Sequence, residues 1–371
     1  MIWLALLIPL IAVICLGYKF HKKMQLIEYA LVFLVPIICI FIGKGCSIHN
    51  QVVDTEYWNS YGVTAIYEEE WSERWTELET YTTTDSKGNM QVHTRMVTRR
   101  RNHPEQWTLT DNINNRFNIS KKYFESLCKL WDNRTFKDMR REQSTSHTIT
   151  KDGNAYVTVY DGVTFDSLIP LCVEHTYENR VQCSKSVFNF ETVSQETKQQ
   201  YGLFEYPKEN VFGYTPILGC TNKESIDILR KYNALNGAKH QIHMMLVVFK
   251  DQPLETGLFQ ESYWKGGNKN EFIVCVGLKD NDIKWTRVIS WTENETLKVK
   301  TAREIKEMKT FDVMTVVNYM GTNIPSSFVR KEFKDFSYIS VQPSTTAIIL
   351  TYILTLLVTI GIAIFSINND Y

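Results

Sequence analysis

Residues 345–367 read TTAIILTYILTLLVTIGIAIFSI, an apolar run without a single charged side chain. A helix rises about 1.5 Å per residue, so about 20 such residues cross the hydrocarbon core of a bilayer. The run predicts a transmembrane helix within the C-terminal segment 344–371, which closes in a short polar tail. We therefore expect the lipid bilayer to be one partner of this chain.

Two shorter apolar stretches, Ile2–Gly17 and Ala30–Gly43, lie near the other terminus. The connector between them carries Lys19, Lys22 and Lys23, and the pattern predicts a helical hairpin. A cleavable signal peptide fits less well, because its positive charges precede the apolar stretch instead of following it. Lysine and arginine favour the cytoplasmic side of a membrane, so we expect the large polar domain on the extracytoplasmic side.

Charge and cysteine content narrow the class of protein further. The chain has 41 basic and 41 acidic residues, which argues against a nucleic-acid partner recruited by bulk electrostatics. The cysteines outside the apolar segments are scattered and form no CxxC pair, so a zinc ribbon is not indicated. Cys172 and Cys183 flank a short excursion and predict a disulfide. Cys275 lies in an apolar strand pattern and predicts a buried thiol.

The segment 45–216 has strand character, and its clearest element surrounds the turn-forming cluster Asp85–Asn89. If Thr84 faces Met90, the chain folds back into a hairpin in which one register aligns several complementary pairs. These pairs are Glu79 with Arg95, Trp75 with Arg99, and Glu73 with Arg101.

A helix is the competing interpretation of the same segment, because Tyr67, Trp71, Trp75 and Leu78 also fall on a helical stripe. The threonine-rich sequence after Leu78 favours the hairpin.

The segment 217–343 alternates helical and strand patterns. The clearest elements are an amphipathic helix and two nearly continuous apolar strands, and the other predicted helices and strands alternate in the same way. In order, the pattern predicts helix Lys223–Ala238, strand Ile242–Phe249, helix Leu254–Trp264, strand Glu271–Leu278, strand Ile283–Trp291, and helices Lys300–Met308 and Phe311–Met320. The fold class expected is an α+β to α/β soluble domain held by transmembrane helices. Residues 1–44 form the anchoring hairpin, 45–216 a β-rich part with a long hairpin, and 217–343 a layered α/β part.

The most suggestive candidate for binding is the loop from Trp264 to Asn270. Gly266 and Gly267 allow backbone conformations closed to other residues, and Asn268, Lys269 and Asn270 carry donors suited to an anion. Alternatively, the glycines end a helix and the polar residues solvate a turn. Candidate binding residues are therefore Trp264, Gly266, Gly267, Asn268, Lys269, Asn270 and His175, the last of which is either a ligand or a surface histidine.

Known catalytic and cofactor motifs are absent from the sequence. We find no Walker loop, GxGxxG, GxSxG or HExxH motif, and we predict no cofactor and no metal site. His240 and His243 have HxxH spacing, but at the start of a strand this spacing sends the two side chains to opposite faces.

Several stretches of this chain resemble a family of uncharacterised membrane-anchored proteins encoded by phages and bacteria. The matching stretches are DTEYWN (Asp54–Asn59), VEHTY (Val173–Tyr177) with Ser186–Phe188, Tyr206-Pro207, Gln241–Val248, WKGGNKNEFIVCVG (Trp264–Gly277), Ile283–Trp291 and FVRKEFKDFSY (Phe328–Tyr338). The resemblance implies an integral protein of a bacterial inner membrane. Its expected role is an interaction or assembly module that contacts another envelope protein.

The strand–helix–loop–strand order of the second half is also similar to the TPM domain, a small α/β domain exposed on membranes. This resemblance implies an alternative function, a metal-dependent phosphohydrolase working at Gly266–Asn270. The acidic candidates for such a metal are Asp251, Glu261, Asp280 and Asp282, although they form no recognisable pattern.

Overall fold

A computed structural model describes residues 1–20, 25–131, 136–137, 147–162, 164–183, 190–208 and 210–368. Its helices are α1 (Leu7–Phe20), α2 (Leu26–Val52), α3 (Lys121–Leu130), α4 (Gln195–Tyr201), α5 (Lys223–His240), α6 (Glu255–Tyr263), α7 (Glu295–Glu307), α8 (Val313–Asn323) and α9 (Thr345–Asn368). Its strands are β1 (Val53–Glu68), β2 (Trp71–Thr84), β3 (Met90–His103), β4 (Gln106–Asp111), β5 (Arg116–Asn118), β6 (Phe136–Lys137), β7 (His147–Lys151), β8 (Ala155–Val159), β9 (Pro170–Glu178), β10 (Ile217–Leu218), β11 (His243–Lys250), β12 (Glu271–Lys279) and β13 (Asp282–Ser290).

Three helical segments are long and apolar enough to cross a membrane: Ile2–Phe20, Leu26–Val52 and Thr345–Asn368. They pack on one another, and α2 approaches α9 closely where Gly43 meets Thr351. The expectation of apolar helices near both termini is therefore confirmed. Of the connector lysines, Lys19 lies in the last turn of α1, whereas Lys22 and Lys23 lie outside the described residues.

Helix α2 is longer than the sequence pattern predicted. Its 27 residues continue past Lys44 through a polar extension to Val52, giving a rod of about 40 Å at the usual helical rise. A hydrocarbon core is about 30 Å thick, so a helix of this length can span it and still leave its polar end outside.

Strand β1 is the hub of the largest sheet. Its first half, Val53–Tyr61, pairs with β9, and its second half pairs with β4 on one edge and β8 on the other, all antiparallel. Strands β5 and β6 extend this sheet beyond β4 and β8. The first residue of β1 directly follows the last residue of α2, so a membrane helix continues into the central strand without a linker.

Strands β2 and β3 form the predicted hairpin in the predicted register. Thr84 faces Met90, Glu79 faces Arg95, and Trp75 faces Arg99. Both strands have 14 residues, which corresponds to about 45 Å. The alternative of a helix through Trp71 and Trp75 is wrong, because the turn at Asp85–Asn89 and the complementary pairs favour strand pairing over the helical stripe.

A second sheet has the order β10-β11-β12-β13, in which β10, β11 and β12 are parallel and β13 is antiparallel. Alternate residues of β11 and β12 contribute to two separate clusters of buried side chains. One cluster contains Met244, Val274 and residues of α5 and α8; the other contains Met245, Cys275 and Trp264. The predicted strands and the helix at α5 are confirmed.

Contacts between the segments 45–216 and 217–343 are intimate. Helix α5 crosses β1 so closely that a Cβ atom added to Gly237 would lie 2.3 Å from the Asn59 carbonyl oxygen. The side chain of Asn59 in turn reaches the backbone at Ile242. The division of the chain at residue 217 stays a prediction.

The predicted disulfide is wrong. Cys172 is buried in a cluster with Tyr57 and Tyr214, and it is not bridged to Cys183. The Cys183 thiol instead donates a hydrogen bond to the Gln51 carbonyl, 3.1 Å away. Cys275 is a fully buried thiol, as expected, and burial raises its pKa.

Candidate functional site

The loop between α6 and β12 reverses the chain through three consecutive left-handed residues. Lys265, Gly266 and Gly267 have φ values of 51°, 82° and 73°. The amide of Gly266 donates to the Glu261 carbonyl at 2.9 Å, which ends α6. Positive φ at the two glycines is the conformation that the short reversal required.

Two tryptophans hold this loop in place. The Trp264 indole donates to the Phe204 carbonyl at 3.0 Å, and the Trp291 indole donates to the Gly267 carbonyl at the same distance. Trp291 Cζ2 lies 3.0 Å from the position of a Cβ on Gly266. The two indole hydrogen bonds and the crowding at Gly266 therefore stabilise this connection between α6 and β12.

The polar side chains of the loop point into the protein. Asn268 is 6% exposed and donates to the Tyr206 hydroxyl at 2.8 Å and to Glu271 at 3.1 Å. Asn270 is 2% exposed and donates to the Tyr57 carbonyl of β1 at 2.7 Å. Both asparagines are buried and donate to Tyr206, Glu271 and β1, so their side chains do not lie in a solvated turn, and a role in anion binding stays a prediction.

Lys269 contributes to a buried ionic cluster centred on Glu56, a fully buried carboxylate of β1. One oxygen of this carboxylate, Oε1, lies 2.6 Å from Arg330 Nη2, 3.1 Å from His175 Nδ1 and 3.5 Å from Lys269 Nζ. The Trp58 indole also donates to Oε1, at 2.9 Å. Glu56, His175, Lys269 and Arg330 are called the Glu56 cluster below.

The two cations of the Glu56 cluster are largely withdrawn from solvent, each with a side chain 14% exposed. The Lys269 ammonium also stands 4.2 Å from the centre of the Tyr177 ring. Desolvation lowers the pKa of Lys269, and the Glu56 carboxylate opposes that shift. A lysine predicted to meet a ligand is thus already paired inside the protein.

His175 brings a second predicted residue to the same cluster. Its ring stacks on Trp58 with centroids 4.0 Å apart, and its side chain stays 42% exposed. The structure therefore joins His175 and Lys269, which are 94 positions apart in the sequence.

Glu56 and Arg330 were missed as functional candidates. Each lies in one of the stretches quoted for the family resemblance, DTEYWN and FVRKEF, and the cluster gathers one residue from each of four such stretches. Residue type alone did not mark Glu56 and Arg330 as functional candidates, because a glutamate or an arginine in a polar segment usually faces water.

A second buried carboxyl, Glu271, lies behind the glycine loop. Burial raises the pKa of Glu271 to about 7, although the Tyr206 hydroxyl and two donors of Asn268 bind it and oppose the shift. Tyr177 links Asn268 to Asp54 through its hydroxyl, with both distances 3.2 Å. Glu271 is a group able to hold or release a proton near neutral pH.

A cleft of about 330 Å³ opens beside this network. Four aromatic rings and two carboxylates form part of its lining: Tyr57, Tyr206, Tyr263, Trp264, Asp54 and Glu205. Of the predicted site residues, Trp264, Gly267 and Asn268 border the cleft, whereas Lys269 and His175 belong to the Glu56 cluster.

The histidine pair does not form a site. His240 ends α5, and His243 is fully buried at the start of β11, where its Nδ1 lies 2.9 Å from Asn59 Nδ2. Burial lowers the pKa of His243 to about 3.

The acidic residues considered as metal ligands do not lie together at the glycine loop. Asp251, Asp280 and Asp282 follow the carboxyl ends of β11 and β12, while the glycine loop enters β12 at its opposite end. Nine strand residues separate these ends by about 27 Å. Glu261 is ion-paired with Arg287. In the part of the chain that the structure describes, no group of three or more His, Cys, Asp or Glu side chains is placed to hold a metal ion.

Comparison of the chain with protein-family models, with curated proteins and with solved structures gives no match.

Proposed function

We propose that this chain is an integral membrane protein that acts as an interaction or assembly module at the cell envelope. In this proposal it resides in a bacterial inner membrane, with its large part on the extracytoplasmic side and a layered α/β second half. The observation that carries the proposal is the direct continuation of α2 into β1 at Val52 and Val53. An enzyme needs no such rigid link to its anchor, whereas a module that presents a surface at a fixed height and orientation does.

The second anchor supports the same role. The backbone before α9 is tied to the end of α2, because the Ser344 amide donates to Ser47 Oγ and Gln51 Nε2 donates to the Gln342 carbonyl, both at 3.1 Å. Arg180, which follows β9, donates to the Ile339 carbonyl at 3.1 Å. The folded part is thus fastened at both points where it meets the helices.

The Glu56 cluster has a structural role in this proposal. Glu56 is the fourth residue of β1, and its cationic partners come from the glycine loop and from the segment that leads to α9. A buried carboxylate with several partners specifies how these three segments fit together, since moving any of them exposes or orphans a charge. We infer that the cluster fixes the domain on its membrane helices.

The hairpin β2–β3 provides the surface for a partner protein. One of its faces carries Trp75, Tyr81, Arg95 and Arg99, and tyrosine, tryptophan and arginine are the residue types that contribute most to protein interfaces. Internal ion pairs between Arg95 and Glu79 at 2.7 Å and between Arg99 and Glu77 at 2.8 Å preorganise these long side chains. A preorganised face loses less entropy on binding.

Site-specific photo-crosslinking in the native membrane tests this proposal. A photoreactive residue replaces Tyr81 on the hairpin face or, as a matched control, Lys284 on the exposed side of β13. We expect one envelope protein, identified by mass spectrometry, to be captured from position 81 and not from position 284. Capture of no protein from position 81, or of the same proteins from both positions, contradicts the proposal.

The phosphohydrolase alternative is tested separately by hydrolysis of a generic phosphate ester with and without a chelator. Among the described residues, the glycine loop and the three aspartates lie at opposite ends of β12, which gives this alternative no support. Activity that requires a metal and is lost in Lys269→Ala would replace the interaction module by an enzyme.

A further inference from the structure

The cleft beside the glycine loop has no part in the proposed interaction surface, and its lining has a chemistry of its own. Its volume of about 330 Å³ falls in the range of small-molecule sites, roughly 300–1,000 Å³. Gln182 borders the cleft, and its Nε2 donates to the Gln51 carbonyl of α2 at 2.9 Å. Asn179 also borders it, and its amide donates to the Val52 carbonyl at 2.6 Å. The cleft therefore lies beside the junction between α2 and β1.

Two aromatic walls of the cleft meet at nearly a right angle. The rings of Tyr206 and Trp264 have centroids 5.4 Å apart and an interplanar angle of 75°. Hydrogen bonds fix both rings: the Trp264 indole donates to the Phe204 carbonyl, and the Tyr206 hydroxyl accepts from Asn268 and donates to Glu271. The face of an aromatic ring carries negative partial charge and attracts an ammonium group, with or without methyl substituents.

An ammonium group of the protein already occupies the rim of the cleft. Lys198 Nζ lies 3.8 Å from the centre of the Tyr263 ring and donates to the Tyr263 hydroxyl at 2.6 Å. It also lies 3.7 Å from Glu205 Oε1, and Glu205 accepts a further hydrogen bond from the Tyr263 hydroxyl. The charge of Glu205 is thus compensated within the protein.

Two other charged side chains line the cleft, Asp54 and Lys265. Within the part of the chain that the structure describes, neither forms an ion pair. Asp54 is held in place by hydrogen bonds from Asn179 Nδ2 at 2.7 Å and from the Tyr177 hydroxyl at 3.2 Å. Lys265 is exposed at the edge of the glycine loop. One carboxylate and one ammonium without partners match a ligand that carries the opposite pair of charges.

We propose that the cleft binds a zwitterionic ammonium–phosphodiester group, the chemistry that glycerophosphocholine shares with the headgroups of phosphatidylcholine and phosphatidylethanolamine. The ammonium lies against the aromatic walls and Asp54, and the phosphate pairs with Lys265. A simple cation would leave Lys265 unpaired, and a simple anion would be repelled by Asp54. The inference goes beyond the proposed function, and only the lipid source rests on it, because a headgroup reaches the cleft only if the chain is anchored as proposed.

Isothermal titration calorimetry of the full chain in a non-ionic detergent tests the proposal, with glycerophosphocholine as the probe. We expect a Kd of roughly 1 mM or tighter. Glycerophosphoglycerol has the same phosphodiester without the ammonium, and it should bind at least about tenfold more weakly.

Variants of the two unpaired charges test the assignment of residues. Asp54→Asn should weaken binding of glycerophosphocholine at least about tenfold, and Lys265→Gln about threefold, since its side chain is exposed. Asp282→Asn and Lys284→Gln are the matched controls, because they remove the same charges at the far end of β12, and they should leave binding unchanged. Lys265→Gln alters an exposed side chain and keeps the test valid if Asp54→Asn fails to fold.

The inference is overturned if glycerophosphocholine does not bind at millimolar concentration, if glycerophosphoglycerol binds equally well, or if Lys265→Gln binds as tightly as Lys284→Gln. The same titration in nanodiscs identifies the source of the ligand. If the cleft takes lipid headgroups, binding observed in phosphatidylglycerol discs disappears when phosphatidylcholine is included; if it takes a soluble ligand, binding persists in both. Cross-linking from position 81 measures a different surface, so the two proposals fail separately.

Discussion

Lys269 and Arg330 share one oxygen of Glu56, but they are paired with it at different distances, 3.5 Å and 2.6 Å. Removing Arg330 leaves a buried carboxylate with its weaker partners, so we expect Arg330→Ala to cost about 3–5 kcal/mol of unfolding free energy. Lys269→Ala keeps the closer pair and should cost about 1–2 kcal/mol. Urea unfolding of the detergent-solubilised chain, followed by tryptophan fluorescence, measures both.

Lys284 is the matched control, because it pairs with Asp282 at 3.0 Å on the surface, with side chains 50% and 62% exposed. We expect Lys284→Ala to change stability by less than about 0.5 kcal/mol. If Lys269→Ala is no more costly than Lys284→Ala, then Lys269 is a solvated loop residue and the Glu56 cluster does not fix the domain.

Two buried groups on neighbouring strands, His243 and Glu271, give opposite pH dependences. His243 has a folded-state pKa of about 3, below its ordinary value near 6.5, so the unfolded state binds more protons and stability rises with pH across that window. Glu271 has a folded-state pKa of about 7, above its ordinary 4.5, so stability falls as pH rises from 4.5 to 7. Between pH 5 and 6.5 the two slopes, each about 1.4 kcal/mol per pH unit, cancel.

A substitution of His243 or Glu271 alone should therefore produce a pH dependence of stability that is cancelled in the wild type. From pH 6.5 to pH 5 we expect Glu271→Gln to lose about 2 kcal/mol of stability and His243→Gln to gain about 2 kcal/mol. The wild type and the double variant should change little from these two groups. Denaturant unfolding at both pH values checks the signs, and equal profiles for the two single variants would show that burial does not shift these groups.

Glycine-to-alanine variants separate the cost of a left-handed backbone conformation from the cost of steric crowding in the glycine loop. Gly88 and Gly266 share a φ of 82°, but a Cβ on Gly88 meets open space. We expect Gly88→Ala to cost about 1 kcal/mol, the price of a left-handed alanine alone. A Cβ on Gly267 would lie 2.7 Å from Glu271 Oε2 and 2.9 Å from Ile273 Cδ1.

Gly267→Ala should therefore cost about 2–4 kcal/mol, more than the strain alone. Gly266→Ala should fall between it and Gly88→Ala, since ring atoms of Phe190 and Trp291 lie 3.0 Å from its added Cβ. Thermal or urea unfolding of the three variants ranks them. Equal costs at all three positions would mean that the loop is loose enough to relax.

Elements with a local pattern were predictable from the sequence. The register of β2 and β3 follows from one turn and alternating pairs, and β11, β12 and α5 follow from apolar runs and helical spacing. Helix α7 was predicted to begin at Lys300 but begins at Glu295, because Asn294 caps it by accepting from the Leu297 amide at 3.1 Å.

The candidate site was less predictable because its contacts are not local. Glu56 and Arg330 are 274 positions apart, and no periodicity within either segment encodes their meeting. The sequence pointed to Lys269 and His175 as polar residues of interest, and it left open whether each meets a ligand or faces solvent. It had no means of showing that both side chains pair with Glu56, a buried carboxylate of β1.

At the scale of the whole molecule, the folded domain is connected to its terminal helices by direct contacts at both junctions. The polar end of α2 leads into β1, the segment before α9 is bonded back to α2, and the Glu56 cluster joins both to the glycine loop. A hairpin of about 45 Å projects from this base. In the proposed membrane-anchored arrangement, the direct junction between α2 and β1 would set the direction of the hairpin relative to the bilayer without a flexible tether.

The last prediction concerns the side of the membrane on which the hairpin lies. We expect the lysines of the α1–α2 connector to hold that connector in the cytoplasm, in which case the single crossing by α2 places the large domain outside. In intact bacterial cells, a membrane-impermeant maleimide should label Lys87→Cys at the hairpin turn, and it should label Lys19→Cys only after permeabilisation. The unsubstituted chain gives the background from native cysteines. Labelling of Lys19→Cys alone in intact cells would invert the topology and move the proposed partner into the cytoplasm.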